Sequence, residues 1–323
     1  MLYKNYFIII MKEKENIIME KIISEKNISI DIQDISHEFG ENKVLKGIRL
    51  QIGKGEIFGL LGPSGAGKTT LIKILTGQLS QCFGKALLLG EDTEKLSNAV
   101  YKKLGVMLEN LGLYERLSCY DNLKVFADIY GVEKEAVLEA LKRVGLYEAR
   151  KRAVLNISKG MRQRLMFARA ILNDPEVLFL DEPTAGLDPG VMKEIHRLIE
   201  EQSERGTTIF LTTHNMEEAE KLCDRVGLLC KGKIVECGRP KEVCAKYDHQ
   251  RQIGILLGSG EKMFFPNGPE AAEKMKQLLL TEKIAEIHTT EPNLETVFLE
   301  LTGMDFQGQM HMTHAGLATG GRI

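Results

Sequence analysis

The run Gly62-Pro63-Ser64-Gly65-Ala66-Gly67-Lys68-Thr69-Thr70 places a glycine, four residues and then Gly-Lys-Thr in one segment. This spacing suits the cradling of a phosphate. Glycines at these points let the chain curl until successive backbone N–H groups face one anion, and a helix starting here adds the positive end of its dipole. Lys68 can then reach the terminal phosphates of a nucleoside triphosphate, while the Thr69 hydroxyl offers a hard oxygen to Mg²⁺. The context is the one the motif requires. Ile57-Phe58-Gly59-Leu60-Leu61 is an apolar run ahead of it, and Leu71, Ile72, Ile74 and Leu75 follow at helical spacing.

A second constellation, Val177-Leu178-Phe179-Leu180-Asp181-Glu182, puts two carboxylates at the end of a buried strand, where a parallel sheet presents its ligands. Asp181 would hold Mg²⁺, directly or through water. Glu182 would polarise an attacking water and accept its proton. By itself an apolar run ending in two acids is a weak signal, because strand ends often carry solvated acids. With the phosphate loop it points to hydrolysis of ATP.

These motifs stand in a fixed order between Phe39 and His214, and over about Ile28 to Lys246 the chain resembles the ATP-binding cassette family, the ATPase subunits of ABC transporters. Asn156-Ile157-Ser158-Lys159-Gly160-Met161 resembles the family's signature loop, usually Leu-Ser-Gly-Gly-Gln, with Lys159 and Met161 in place of Gly and Gln. The resemblance implies that Ser158, Gly160 and the start of the next helix cap the γ-phosphate bound to a second copy. Ala185-Gly186-Leu187-Asp188 resembles the D-loop, which lies across that dimer interface and places Asp188 there. His214, after Leu211-Thr212-Thr213, resembles the switch histidine that contacts the γ-phosphate, and Phe39 matches the aromatic that stacks on adenine. Ser158 before a helix is also a plain N-cap. Where the family's Q-loop has glutamine this chain has Glu109, a residue that would approach Mg²⁺ and the permease. Such variants, with the ending Asn293-Leu294-Glu295-Thr296-Val297-Phe298-Leu299-Glu300-Leu301-Thr302, resemble the branch serving bacterial drug, antibiotic and polysaccharide exporters.

The elements that must hold these residues are legible from periodicity. Ile28, Ile30 and Ile32, then Ile48, Leu50 and Ile52, alternate with polar residues and predict an antiparallel sheet with one exposed face. Ile57–Leu61, Val177–Leu180 and Ile209–Leu211 are continuous apolar runs, the pattern of central parallel strands covered on both sides. Helical spacing of Val137, Leu138, Leu141, Val144 and Leu146, and of Met161, Leu165, Ala168 and Leu172, predicts a helical insertion over about 110–170. Lys231-Gly232 marks a hairpin, and Gly238-Arg239-Pro240 ends the main sheet. The fold class predicted is α/β: a P-loop NTPase core with a mixed sheet, an antiparallel β subdomain and a helical insertion, plus a small C-terminal α+β appendage. The division expected is a flexible extension over 1–26, a cassette over 27–246, the appendage over 247–303 and a disordered tail over 304–323.

The 323 residues are 43% hydrophobic and 27% charged, with Lys+Arg 43 against Asp+Glu 45, so no electrostatic feature suggests nucleic acid as a partner. The apolar piece Tyr6–Met11 is far shorter than a membrane span, and it lacks the marks of a secretory signal. A cytoplasmic ATPase is expected, held at the inner face of the cell membrane by a separate integral membrane permease. Its other partner would be a second copy or a related cassette, with ATP and Mg²⁺ as cofactors. The cysteines at 223, 230, 237 and 244 recur every seven residues, unlike the tight pairs of metal sites, and free thiols are expected. Two other readings compete: a regulatory subunit with weak turnover, suggested by Lys159, Met161 and Glu109, and a soluble cassette protein acting on ribosomes or DNA. The latter would carry two cassettes or long basic or coiled-coil segments, which are not seen.

Overall fold

Alternation over Ile28–Phe39 (β1) and Asn42–Gly53 (β2) produces two long antiparallel strands, which bury Ile30, Ile32 and Ile35 opposite Ile48, Leu50 and Ile52. The computed structural model describes residues 27–108, 112–247, 252–266, 268–281, 284–290 and 292–303. The N-terminal extension, Glu109 and the tail from Met304 lie outside the described residues. β3 (Ile57–Leu61) is buried along its whole length and leads through the glycine-rich loop into α1 (Lys68–Leu75). The chain then returns to the first sheet with β4 (Phe83–Leu88) and the short β5 (Glu91–Asp92), giving the order β2-β1-β4-β5.

After one turn of helix, α2 (Asn98–Tyr101), β6 (Leu104–Met107) enters the second sheet. The helical insertion follows as α3 (Cys119–Tyr130), α4 (Lys134–Arg143) and α5 (Lys159–Ala170). α4 stops before Val144 and Leu146, because Gly145 adopts the left-handed conformation (φ 65°), yet both side chains stay buried. β7 (Val177–Asp181), α6 (Pro189–Glu204), β8 (Thr208–Thr213), α7 (Met216–Leu222), β9 (Arg225–Cys230) and β10 (Lys233–Gly238) complete the sheet, ordered β10-β9-β3-β8-β7-β6. Strands β6, β7, β8, β3 and β9 run parallel, and β10 folds back antiparallel through the Lys231-Gly232 turn.

Register decides where the chemistry sits. Leu61 pairs with Thr213, and Asp181 pairs with Thr212, so β3, β7 and β8 end side by side. The phosphate loop, Glu182 and His214 therefore leave one edge of the sheet together, at the carboxyl ends of its strands.

Beyond α8 (Pro240–Lys246), strands β11 (Gln252–Leu257), β12 (Lys262–Pro266) and β13 (Ile284–Thr290) form an antiparallel sheet with α9 (Pro269–Thr281). Ile255, Leu257 and Leu278 make its small core. The last helix, α10 (Leu294–Thr302), falls within the segment expected to form the appendage, yet its apolar face packs on the cassette. Leu294, Val297 and Phe298 are fully buried in the same cluster as Leu222 and Val243 of α7 and α8, and the Leu294 amide donates to Glu220 Oε1 at 2.8 Å. An apolar helix face must be covered, and here α7 and α8 cover it. Phe298→Ala should therefore destabilise the cassette itself, by about 3–5 kcal/mol in denaturant unfolding. A change below about 1 kcal/mol, the ordinary surface range, would show that α10 is not part of that core.

Candidate active site

The loop after β3 is built from glycine where nothing larger fits. A Cβ on Gly62 would lie 2.3 Å from the Leu229 carbonyl oxygen, and one on Gly67 would lie 2.8 Å from Leu45 Cδ2. Gly67 also has φ 112°, a conformation that L side chains avoid. Lys68, the first residue of α1, is buried, and its Nζ reaches back to donate to the carbonyls of Gly62 at 2.6 Å and Pro63 at 3.3 Å. The ammonium is thus pinned beneath the cradle that its own loop forms.

The two acids are held differently. Asp181 is buried, with Oδ2 accepting from Thr69 Oγ1 at 2.8 Å and Oδ1 from Thr212 Oγ1 at 2.5 Å. Glu182 follows in the left-handed region, φ 50°, and its amide donates to the Thr212 carbonyl at 3.0 Å. Its carboxylate is shared. Oε1 is 3.2 Å from Lys68 Nζ, and Oε2 accepts from His214 Nδ1 at 2.7 Å. Lys68 and Glu182 are largely enclosed whereas His214 is half exposed, so the pair stands at the inner wall of an opening.

That opening is a cavity of about 380 Å³. The phosphate loop from Pro63 to Thr70 lines one part, Val44 another, and Glu182, Ala185 and His214 face it from the sheet edge. Its donors fit a nucleotide: N–H groups and an ammonium for phosphate, with the hard oxygens of Thr69 and Asp181 side by side for Mg²⁺. Phe39 stands apart, exposed at the β1–β2 turn with its ring edge-on to His37 at 4.6 Å. Ser158, Gly160 and Asp188 do not line this cavity. Ser158 Oγ accepts from the Met161 amide at 3.2 Å and caps α5, Asp188 caps α6 through the Val191 amide at 3.1 Å, and Gly160 packs against Val191. Lys159 Nζ donates to the Gly186 carbonyl at 2.8 Å, so the exposed start of α5 and the loop before α6 meet on one surface.

Two contributors escaped the sequence reading, Val44 and Thr212. The signal for Thr212 is a hydroxyl in a buried strand position next to His214. Thr212→Val would deprive Asp181 of one charge-assisted hydrogen bond, about 1.5–3 kcal/mol. ATP hydrolysis should fall about tenfold or more while the fold persists. Unchanged turnover in a steady-state assay would mean that Thr69 alone orients Asp181.

Residues 45–185, which include the phosphate loop, Ser158 and both acids, match the family described as ABC transporter. A fluoroquinolones export ATP-binding protein of Mycobacterium tuberculosis is 39% identical over 263 residues, covering 80% of this chain and 87% of the relative. A linearmycin resistance ATP-binding protein of Bacillus subtilis is 30% identical over 305 residues, 85% of this chain and 98% of the relative. Among solved structures, a subunit of a Clostridium perfringens ABC transporter complex superimposes with TM-score 0.61 at 29% identity, over 68% of this chain and 92% of that one. Sequence kinship, strand register and the carboxylate beside the phosphate loop agree, and the chain belongs to the ATP-binding, ATP-hydrolysing subunits of ABC transporters.

Proposed function

We propose that this chain powers an exporter: two copies, or one copy and a related cassette, close around two ATP molecules and drive a separate integral membrane permease. The observation that carries the hydrolytic part is the Glu182 carboxylate, held between Lys68 and His214 on the cavity wall. A γ-phosphate entering the loop competes with Glu182 for the Lys68 ammonium, which lies 3.2 Å from Glu182 Oε1 on the wall of the same cavity. Glu182 then accepts a proton from the attacking water, whose oxygen bonds to phosphorus while ADP departs with the electron pair of the broken P–O bond. His214 keeps the carboxylate oriented through its other oxygen. Thr69 and Asp181 would hold Mg²⁺, which when bound neutralises charge on the phosphate oxygens.

The two-chain part rests on the placement of Ser158. It is exposed, lies outside the cavity of its own chain, and shares a surface with the Gly186–Asp188 loop through Lys159. A second copy would bring that surface over the bound nucleotide, while Phe39 of the chain whose phosphate loop holds the nucleotide would meet the adenine ring. A cassette structure of the same fold, with TM-score 0.59 at 24% identity over 65% of this chain and 98% of that one, is described as a dimeric post-hydrolysis state bound to ADP and Pi. Export is supported by the relatives, among them a lantibiotic transport ATP-binding protein of Streptococcus pyogenes, 38% identical over 64% of this chain and 89% of the relative. Among the described residues no helix is long and apolar enough to cross a membrane. The relatives are named as ATP-binding proteins of export systems, which supports a permease on another chain, and the sequence suggests residues 109–120 as its docking segment. On this reading the chain works in the cytoplasm at the inner face of the cell membrane, with residues 27–246 as the motor and 247–303 as an accessory unit anchored through α10.

Mixing two inactive variants tests action in trans. Lys68→Ala destroys the phosphate side of its own site, and Ser158→Arg obstructs the face offered to the partner. Heterodimers then hold one intact and one doubly damaged site, and should recover about a quarter to a half of native hydrolysis under saturating ATP, in proportion to their share of the mixture. Proven heterodimers with no recovery would contradict a site completed by two chains that can fire alone.

A further inference from the structure

Glu218 lies on α7, four residues past His214, and its side chain is 1% exposed. Oε1 accepts from Thr184 Oγ1 at 2.7 Å and lies 2.9 Å from His196 Nε2, while Oε2 is buried with no hydrogen-bond partner among the described residues. Desolvating a carboxylate is costly, and a bare oxygen adds to the cost. A well-packed apolar side chain of similar size would hold these helices together at least as well. Core stability therefore does not account for an acid at this position.

The segments it joins do account for it. Thr184 is two residues beyond Glu182, in a tight turn where the Ala185 amide donates to the Glu182 carbonyl at 3.2 Å. Asn215, next to His214, accepts from the Glu218 amide through Oδ1 at 3.1 Å, and its own amide donates to Thr213 Oγ1 at 3.0 Å. His196 sits on α6, the helix that Asp188 caps. The carboxylate, carried on the helix that follows His214, thus ties that helix to the chain leaving Glu182 and to the helix behind the D-loop segment. Glu182 needs such support. Its positive φ is unfavourable for a residue with a side chain and persists only where neighbours enforce it.

We propose that Glu218 is a positioning residue for hydrolysis, which clamps Thr184 and the His214-bearing segment so that Glu182 and His214 keep their 2.7 Å spacing. The inference rests on the reading of Glu182 as the base. Glu218 is buried and does not line the cavity, so its loss acts on turnover and not on ATP affinity.

The test uses the full chain and four variants, each followed by ATP titration and thermal unfolding. Glu218→Ala and Thr184→Val should lower kcat by roughly 10–100-fold, the scale of a small misplacement of a catalytic group, with KM for ATP within about twofold of native. Thr184→Val is nearly isosteric and guards against a failure of Glu218→Ala to fold. Glu218→Gln keeps Oε1 as acceptor for both partners and should stay within about threefold of native kcat. A native kcat in folded Thr184→Val and Glu218→Ala, or a rise in KM that matches the fall in kcat, overturns the proposal. Glu182→Gln is measured alongside. If it turns over normally, the base assignment falls and takes this inference with it; if it is inactive while Thr184→Val is native, only the clamp is wrong.

Discussion

Asp181 is bonded to two hydroxyls, one from the first turn of α1 and one from β8, and through them it joins the three chain segments on which the chemistry depends. Without the Thr69 bond the phosphate loop would be aligned with β7 only by backbone packing. Without the Thr212 bond the carboxylate would be a buried charge with half its shell missing, an expensive arrangement in a core of apolar strands. Because Asp181 is fixed, Glu182 is fixed too, turned by its positive φ toward Lys68 and His214. The parallel sheet supplies the rest. Parallel pairing sets Leu61 beside Thr213 and Asp181 beside Thr212, and so the ends of β3, β7 and β8 lie together.

The Glu182 carboxylate illustrates how a hydrolytic site can be held ready yet remain exchangeable. Its ion pair with Lys68 lies in an enclosed setting where attraction is stronger than in water, but a phosphate carries more negative charge and meets the same ammonium together with several N–H groups. The pairing is therefore one that nucleotide can displace. His214 is different, because it is half exposed and follows β8 directly, so it can keep the second carboxylate oxygen while the first changes partner.

Much of this was legible before any coordinates, for physical reasons that differ from element to element. Asp181, Glu182 and His214 were found because each closely follows an apolar run whose burial is unmistakable, and Lys68 and Thr69 because of their offset from the loop glycines. Lys68, Thr69, Glu182 and His214 line one cavity, and Asp181 is buried behind it, bonded to Thr69. The hairpins and helices of the motor were also readable, including Ser158 as a helix cap, since capping is a local interaction. Long-range partnerships were less so. Thr212, Val44 and Glu218 act through residues far away in the chain, and apart from the buried hydroxyl of Thr212 close to His214 nothing in their immediate neighbourhood signals it. The segment of α10 was placed in the appendage over 247–303, whereas its apolar face is buried against the cassette, because sequence periodicity reveals that a face is buried and not what covers it. Glu109 lies outside the described residues, so its proposed role near metal and permease stands on the sequence alone.

The most direct test of a Glu182-centred site is single-turnover hydrolysis of ATP by Glu182→Gln, with nucleotide affinity measured on the same preparation. The substitution keeps the shape of the side chain and removes its capacity to take a proton. Removing a positioned base should slow the chemical step by roughly 10²–10⁴-fold while leaving ATP affinity within a few fold of native. Hydrolysis of bound ATP at close to the native rate would contradict the account, and the proton would have to be accepted elsewhere in the cavity.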